Sequence, residues 1–135
     1  MPGMSFPASA WMARYVAALN GDPELRLVGG FFTCDVLLDF ETVRYLVRVD
    51  GGTVREVVEN PGYDRPWAFA LRAPRHVWDR YLAPVPPPLY HHIFAMLMRV
   101  PEFRLEGDTL AAAQNIRALA RMCDLMRAVP GADHA

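Results

Sequence analysis

FFTCDVLLDFETVRYLVRVDGGTVREVVE, residues 31–59, decides the fold class of this chain. Phe32, Cys34, Val36, Leu38 and Phe40 alternate with Phe31, Thr33, Asp35, Leu37 and Asp39, and Val43, Tyr45, Val47 and Val49 alternate with Arg44, Leu46, Arg48 and Asp50. A period of two marks a strand with one apolar face. A tight hairpin at Glu41-Thr42 brings the two apolar faces together. It also sets Asp39 against Arg44 and Asp35 against Arg48, opposite charges that support the register. Asp50-Gly51-Gly52-Thr53 is a turn signal, because glycine tolerates positive φ, and a third strand, Thr53–Glu59, follows it.

Outside this meander the period changes to that of a helix. Met12, Tyr15, Val16 and Leu19 form one stripe of a helix over residues 9–20, closed by Asn20-Gly21. Asp22-Pro23-Glu24 predicts a fresh N-cap with proline in the first turn, and Gly29-Gly30 ends that short helix. After a loop over 60–64 come a strand at 67–72, a short helix opened by Pro74, and a stiff connector, Pro84 to Pro88. A helix over 89–99, a short strand at 103–105 and a long final helix capped by Asp108 complete the chain. The expected class is α+β: a mostly antiparallel five-stranded sheet with helices covering one face.

The 135 residues suit one domain, with a core spanning about 9–129. A net charge of -1 and no basic block give nucleic-acid binding little support. The most apolar stretch, Leu89 to Val100, is interrupted by His91, His92 and Arg99, so no membrane span is expected, and the first fifteen residues lack a secretory pattern. Cys34 and Cys123 lie in apolar patterns without CxxC spacing, which reads as two free thiols and a cytoplasmic protein.

Three strings in this order resemble the sterol carrier protein type 2 family: VRYLVRVDGGTV, WAFALRAPRHVWDRYL and EFRLEGDTLAAAQNIRAL. They look like that family's strand-turn-strand, its strand leading to a short helix carrying Trp78, and its short strand, Glu-Gly-Asp turn and last helix. The resemblance covers about Asp22 to Val129. It implies a tunnel between sheet and helices that holds fatty acyl chains, sterols or other lipids. It carries no catalytic motif and no cofactor. The Pro84–Pro88 connector and the LYHHIFAMLM segment are more elaborate than the family's usual turn, which bears on the shape of the cavity mouth.

Candidate contacts for an apolar ligand follow from these elements. Methionine is flexible and polarizable and suits surfaces that accept varied apolar shapes; Met12, Met96, Met98, Met122 and Met126 all fall on expected helices. Val36, Leu38, Tyr45 and Val47 lie on the apolar sheet face, with Trp67, Phe69, Trp78 and Phe94 as aromatic neighbours. With a two-residue turn at Gly51-Gly52, Val47 pairs with Glu56 and turns that carboxylate toward Val54 and Val58, where it could bind a ligand hydroxyl or act as a base. A bulge would slip the register and send Glu56 to solvent. His91 and His92, as neighbours on a helix, point about 100° apart and cannot converge on one metal ion, and His76 and His134 add no suitable spacing. No metal or cofactor is expected. On the helical wheel both histidines share the polar half with Arg99, and His92 is the candidate that meets a ligand at the tunnel mouth. Asp35, Asp39, Arg44 and Arg48 read as a charged outer sheet face.

The leading expectation is a domain that binds, and transfers, a lipid, sterol or other hydrophobic small molecule. The alternatives are a small isomerase, cyclase or hydro-lyase using the same cavity with Glu56 as acid or base, and an accessory subunit that docks on a larger enzyme through LYHHIFAMLM or forms a homodimer.

Overall fold

A computed structural model describes residues 5–132. His134 lies outside them. The elements in chain order are α1 (Ser9–Gly21), α2 (Pro23–Val28), β1 (Cys34–Asp39), β2 (Arg44–Asp50), β3 (Thr53–Glu59), β4 (Phe69–Arg72), α3 (Arg75–Tyr81), α4 (Ile93–Arg99), β5 (Arg104–Gly107), α5 (Thr109–Gln114) and α6 (Ile116–Met126). The strands form one sheet in the order β3-β2-β1-β4-β5. All its pairs are antiparallel except β1–β4, which is parallel. The expected α+β class and mostly antiparallel five-stranded sheet are therefore what the chain forms.

The β1–β2 register is the one the alternation predicts, with Asp35 opposite Arg48 and Asp39 opposite Arg44. Asp35 and Arg48 pair at 3.2 Å. The Asp39 carboxylate instead takes Arg72 from the neighbouring β4 at 2.7 Å and accepts the Glu41 N–H at 2.8 Å. That second bond braces the turn, in which Glu41 stands at φ 71°. An Asx-type contact supports the left-handed backbone that a glutamate rarely adopts.

Helices cover the face carrying Val36, Leu38, Tyr45, Val47, Phe69 and Leu71, and the core lies between. A chain of edge-to-face rings runs through it from Phe6 to Phe40 to Trp78 to Phe103, with centroids 4.7, 4.9 and 5.3 Å apart. Trp78 donates its indole N–H to the Asp39 carbonyl at 2.9 Å, which docks α3 on the end of β1. The outer face is not charged throughout: Leu37, Leu46 and Ala70 are buried along its middle.

Two helices differ from expectation. α4 starts at Ile93, not near 89. His92 caps it through its own ring nitrogen, and Leu89 stands at φ 78°, so the helical wheel does not apply to the two histidines. The final helix is broken at Asn115, whose side-chain amide donates to the Ala111 carbonyl at 2.9 Å, the group that its own backbone N–H would take in a continuous helix.

Candidate functional site

The meander turn leads directly to the site. Val49 pairs with Val54 and Arg48 with Glu56, so Arg55 is one extra residue on β3. Beyond this bulge Val57 pairs with Val47 and Glu59 with Tyr45. Glu56 accordingly faces the outer side, where it meets Arg48 at 3.8 Å and lies within hydrogen-bond reach of Arg65. The bulge therefore overturns the register that pairs Val47 with Glu56. Val57 and Glu59 take the inner face in its place.

α1 crosses this end of the sheet. Its buried face is Trp11, Met12, Tyr15 and Leu19. Asn20 pins it to the edge strand: its side-chain amide accepts the Val54 N–H at 2.8 Å and donates to the Val54 carbonyl at 3.2 Å. Those backbone groups are otherwise the open edge of the sheet. Between the flank of α1 and the inner face of β2 and β3 runs a groove of about 380 Å³. Met12, Ala13 and Val16 form one wall, and Tyr45 and Val57 form the other. Ser9 and Glu59 supply its polar atoms. The volume falls within the ~300–1,000 Å³ usual for small-molecule sites.

The Tyr45 hydroxyl donates to the Pro7 carbonyl at 2.7 Å. Burial, and then the Glu59 carboxylate, push this phenol up to about 12, so it stays protonated and neutral at the groove's floor. What the groove offers is an apolar trough with a single carboxylate at its rim.

Behind α1 lies a buried polar cluster. Tyr15 stacks on Trp11 with centroids 5.3 Å apart and donates its hydroxyl to the Met122 carbonyl at 2.7 Å. Cys123 and Tyr81 stand close enough to Tyr15 to influence its ionisation. Burial pushes the Cys123 thiol up to about 12 and raises both phenols well above their ordinary value. Every group in the cluster is neutral.

Of the candidate contacts read from the sequence, Met12 and Tyr45 line the groove. Val36, Leu38, Val47, Phe69, Trp78, Met96, Met122 and Met126 are buried in the core. Five residues stand elsewhere, Glu56 on the outer face among them. Trp67 borders an outer-face cleft of about 560 Å³ with Leu37, Arg44, Arg65 and Arg72. His92 caps α4 with its ring 4.4 Å from that of Phe94. Phe94 is 41% exposed over a shallow cleft beside Arg121 and Asp124, so it leaves the core altogether. Met98 is likewise exposed. Val57 and Glu59 are the residues that sequence reasoning missed, because no residue type announces the bulge. Tyr15 was legible as a core residue from the first helix stripe, but its hydroxyl and that of Tyr81 were not legible as a cluster.

Among the described residues no group of His, Cys, Asp or Glu gathers in a way that could hold a metal ion, and both cysteines are free thiols. No helix among them is long and apolar enough to cross a membrane.

No known family profile matches the chain, and no curated protein matches its sequence. Solved structures do match. A crystal structure of sterol carrier protein 2 superposes with a TM-score of 0.70 at 21% identity, covering 89% of this chain and 95% of the other. A solution structure of a conserved hypothetical protein from Thermus thermophilus, described as a candidate sterol carrier protein, superposes with a TM-score of 0.69 at 19% identity, covering 93% and 90%. The chain has the fold of sterol carrier protein 2.

Proposed function

We propose that this protein binds a lipid, a sterol or another hydrophobic small molecule, with the groove between α1 and the β2–β3 edge as the entrance. The observation that carries the reading is an apolar groove opening beneath α1 in a fold shared with sterol carrier protein 2. The ligand body lies on Met12, Val16 and Val57, and displacement of α1 admits it to the wall formed by Val36, Val47, Phe69, Met122 and Met126. Methionine side chains repack at low cost around varied apolar shapes. Covering roughly 200 Å² of apolar ligand surface stabilises the complex by about 5 kcal/mol before ordering costs. Carriage from one site to another is the role that a neutral, apolar interior serves best, and a homodimer or a larger enzyme is a natural recipient.

Native mass spectrometry of the purified protein, then denaturing extraction, reads any molecule bound. Uptake of a fluorescent fatty acid and a fluorescent sterol is measured beside it. Val16→Trp fills the groove from its partly exposed wall and should abolish uptake while thermal melting stays unchanged. Full uptake by Val16→Trp would remove the groove from the reading. An empty protein that takes up neither probe would end the reading itself.

A further inference from the structure

The interior behind α1 holds two polar groups that the fold leaves unused. The Tyr81 hydroxyl and the Trp11 indole N–H are fully buried and have no hydrogen-bond partner among the described residues. A buried donor left unpaired costs about 1–3 kcal/mol, and most native proteins satisfy nearly all such groups. Trp11 stacks on Tyr15, and Tyr81 stands close enough to Tyr15 to influence its ionisation, so both unpaired donors belong to one buried aromatic region that lacks an acceptor.

The surroundings state which acceptor fits. Tyr15 has already committed its proton to the Met122 carbonyl. Arg127 lies over the Tyr81 ring at 3.9 Å, but its three nitrogens donate to the carbonyls of Tyr81, His91 and Tyr90. Asp124 adds negative potential near Tyr81. A carboxylate brought here would lose its hydration, find the Arg127 guanidinium already engaged and face an acidic neighbour. A neutral oxygen with free lone pairs meets none of these costs and needs only donors, which are what the cluster provides.

We infer that the ligand carries a neutral carbonyl, as a ketone or ester, whose oxygen accepts the Tyr81 O–H inside the core, with the Trp11 N–H as a second donor. The inference rests on the proposed binding of an apolar molecule and adds its head group: this interior selects against free fatty acids and for their neutral esters or for ketones.

The test compares methyl laurate, lauric acid and dodecane on the wild type and on Tyr81→Phe. Binding is read by displacement of a fluorescent apolar dye, and the ester carbonyl stretch of bound methyl laurate is read by infrared spectroscopy. Removing one hydrogen bond of ordinary strength should weaken methyl laurate about five- to tenfold and leave dodecane unchanged. The ester stretch should lie below its value in hexane in the wild type and return toward it in Tyr81→Phe. Lauric acid should bind more weakly than its ester. If the wild-type stretch equals that in hexane, or Tyr81→Phe binds the ester as tightly as wild type, the inference falls while the proposed function stands. Lauric acid bound more tightly than methyl laurate also overturns it. If none of the three binds, the proposed function fails first and the inference with it. The wild-type spectrum decides the matter even if the variant does not fold.

Discussion

Arg121 and Asp22 meet through two hydrogen bonds of 2.8 and 2.9 Å, although 99 residues separate them in the chain. Asp22 is the N-cap of α2 and accepts the Leu25 N–H at 2.8 Å. One carboxylate therefore starts α2 and fastens it to α6. Arg121 also reaches Glu24 at 2.7 Å. A planar guanidinium gripping a carboxylate through two bonds is stronger and more directional than a lysine pair. This clamp holds α6, with Met122, Cys123 and Met126, against the rest of the fold.

Replacing Asp22 by Ala removes cap and clamp together and should destabilise the protein by about 1–3 kcal/mol. The Arg121 hydrogen bonds, outweighing the upward push of burial, hold the Asp22 carboxyl below its ordinary value in the folded state. A lowered folded pKa gives stability that is fully present above the unfolded carboxylate value and is lost as pH falls through the folded one. Thermal melts of wild type and Asp22→Asn between neutral pH and pH ~3 should therefore converge on the acid side. Curves that stay parallel would show that the pair contributes nothing through ionisation.

Gly52 and Gly51 should respond differently to the same change. Gly52 has φ 79°, and a Cβ there would sit 2.8 Å from the Gly29 carbonyl oxygen, a backbone atom that cannot swing away. Gly51 has φ 58°, with its nearest neighbour at 3.7 Å. Gly52→Ala should cost about 1–3 kcal/mol through strain and contact, whereas Gly51→Asn, a residue that tolerates left-handed backbone, should cost less than about 1 kcal/mol. Chemical denaturation of the two variants checks the order. Equal losses would mean that the approach of α2 to the β2–β3 turn is not tight.

Most of the fold was legible because burial patterns repeat. Alternation from Phe31 to Val49 predicted both strands, their register and the Asp35–Arg48 pair. The cap at Asp22 and proline at Pro23 predicted α2. The misreadings share one physical cause, a single residue acting against a periodic pattern. Asn115 uses its side chain to interrupt the last helix, and His92 caps a helix whose apolar pattern extends upstream to Leu89, whereas the bulge at Arg55 is the weighed reading that sends Glu56 to the outer face. The candidate site suffered most, because the groove depends on which side of the bulge a residue falls. Met12 and Tyr45 were found, since each belongs to an intact pattern. Glu59 was not, since only the bulge places it inward.

The two thiols should be slow toward alkylation in the native state. Burial, with Asp35 next, pushes Cys34 up to about 11, and burial with Asp124 pushes Cys123 up to about 12. The thiolate is the reactive form, and at pH ~8 very little of either thiol is ionised. Iodoacetamide at that pH, read by mass spectrometry, should label Cys34 slowly and Cys123 only after guanidinium is added. Rapid native labelling of Cys123 would mean that α6 opens readily.

The bulge itself can be tested by removing it. Deleting Arg55 leaves Val54 followed by Glu56, so regular alternation places Val54, Val57 and Glu59 inward and Glu56 and Val58 outward, the faces they already occupy. The deletion also loses the exposed Arg55–Asp50 pair at 3.8 Å, a contact of the kind worth at most about 1 kcal/mol. Asn20 keeps its two bonds to Val54. The shortened chain should therefore fold, melt close to the wild type and keep its uptake of a fluorescent fatty acid. The opposite register makes the opposite forecast. If Glu56 faced inward in a regular ladder, removing Arg55 would turn Glu56 and Val58 to the outer face, strip the groove of its wall and cost about 1.5–3 kcal/mol, the burial of one apolar side chain. A shortened protein that is destabilised and does not bind would thus put Glu56, not Glu59, beside the ligand.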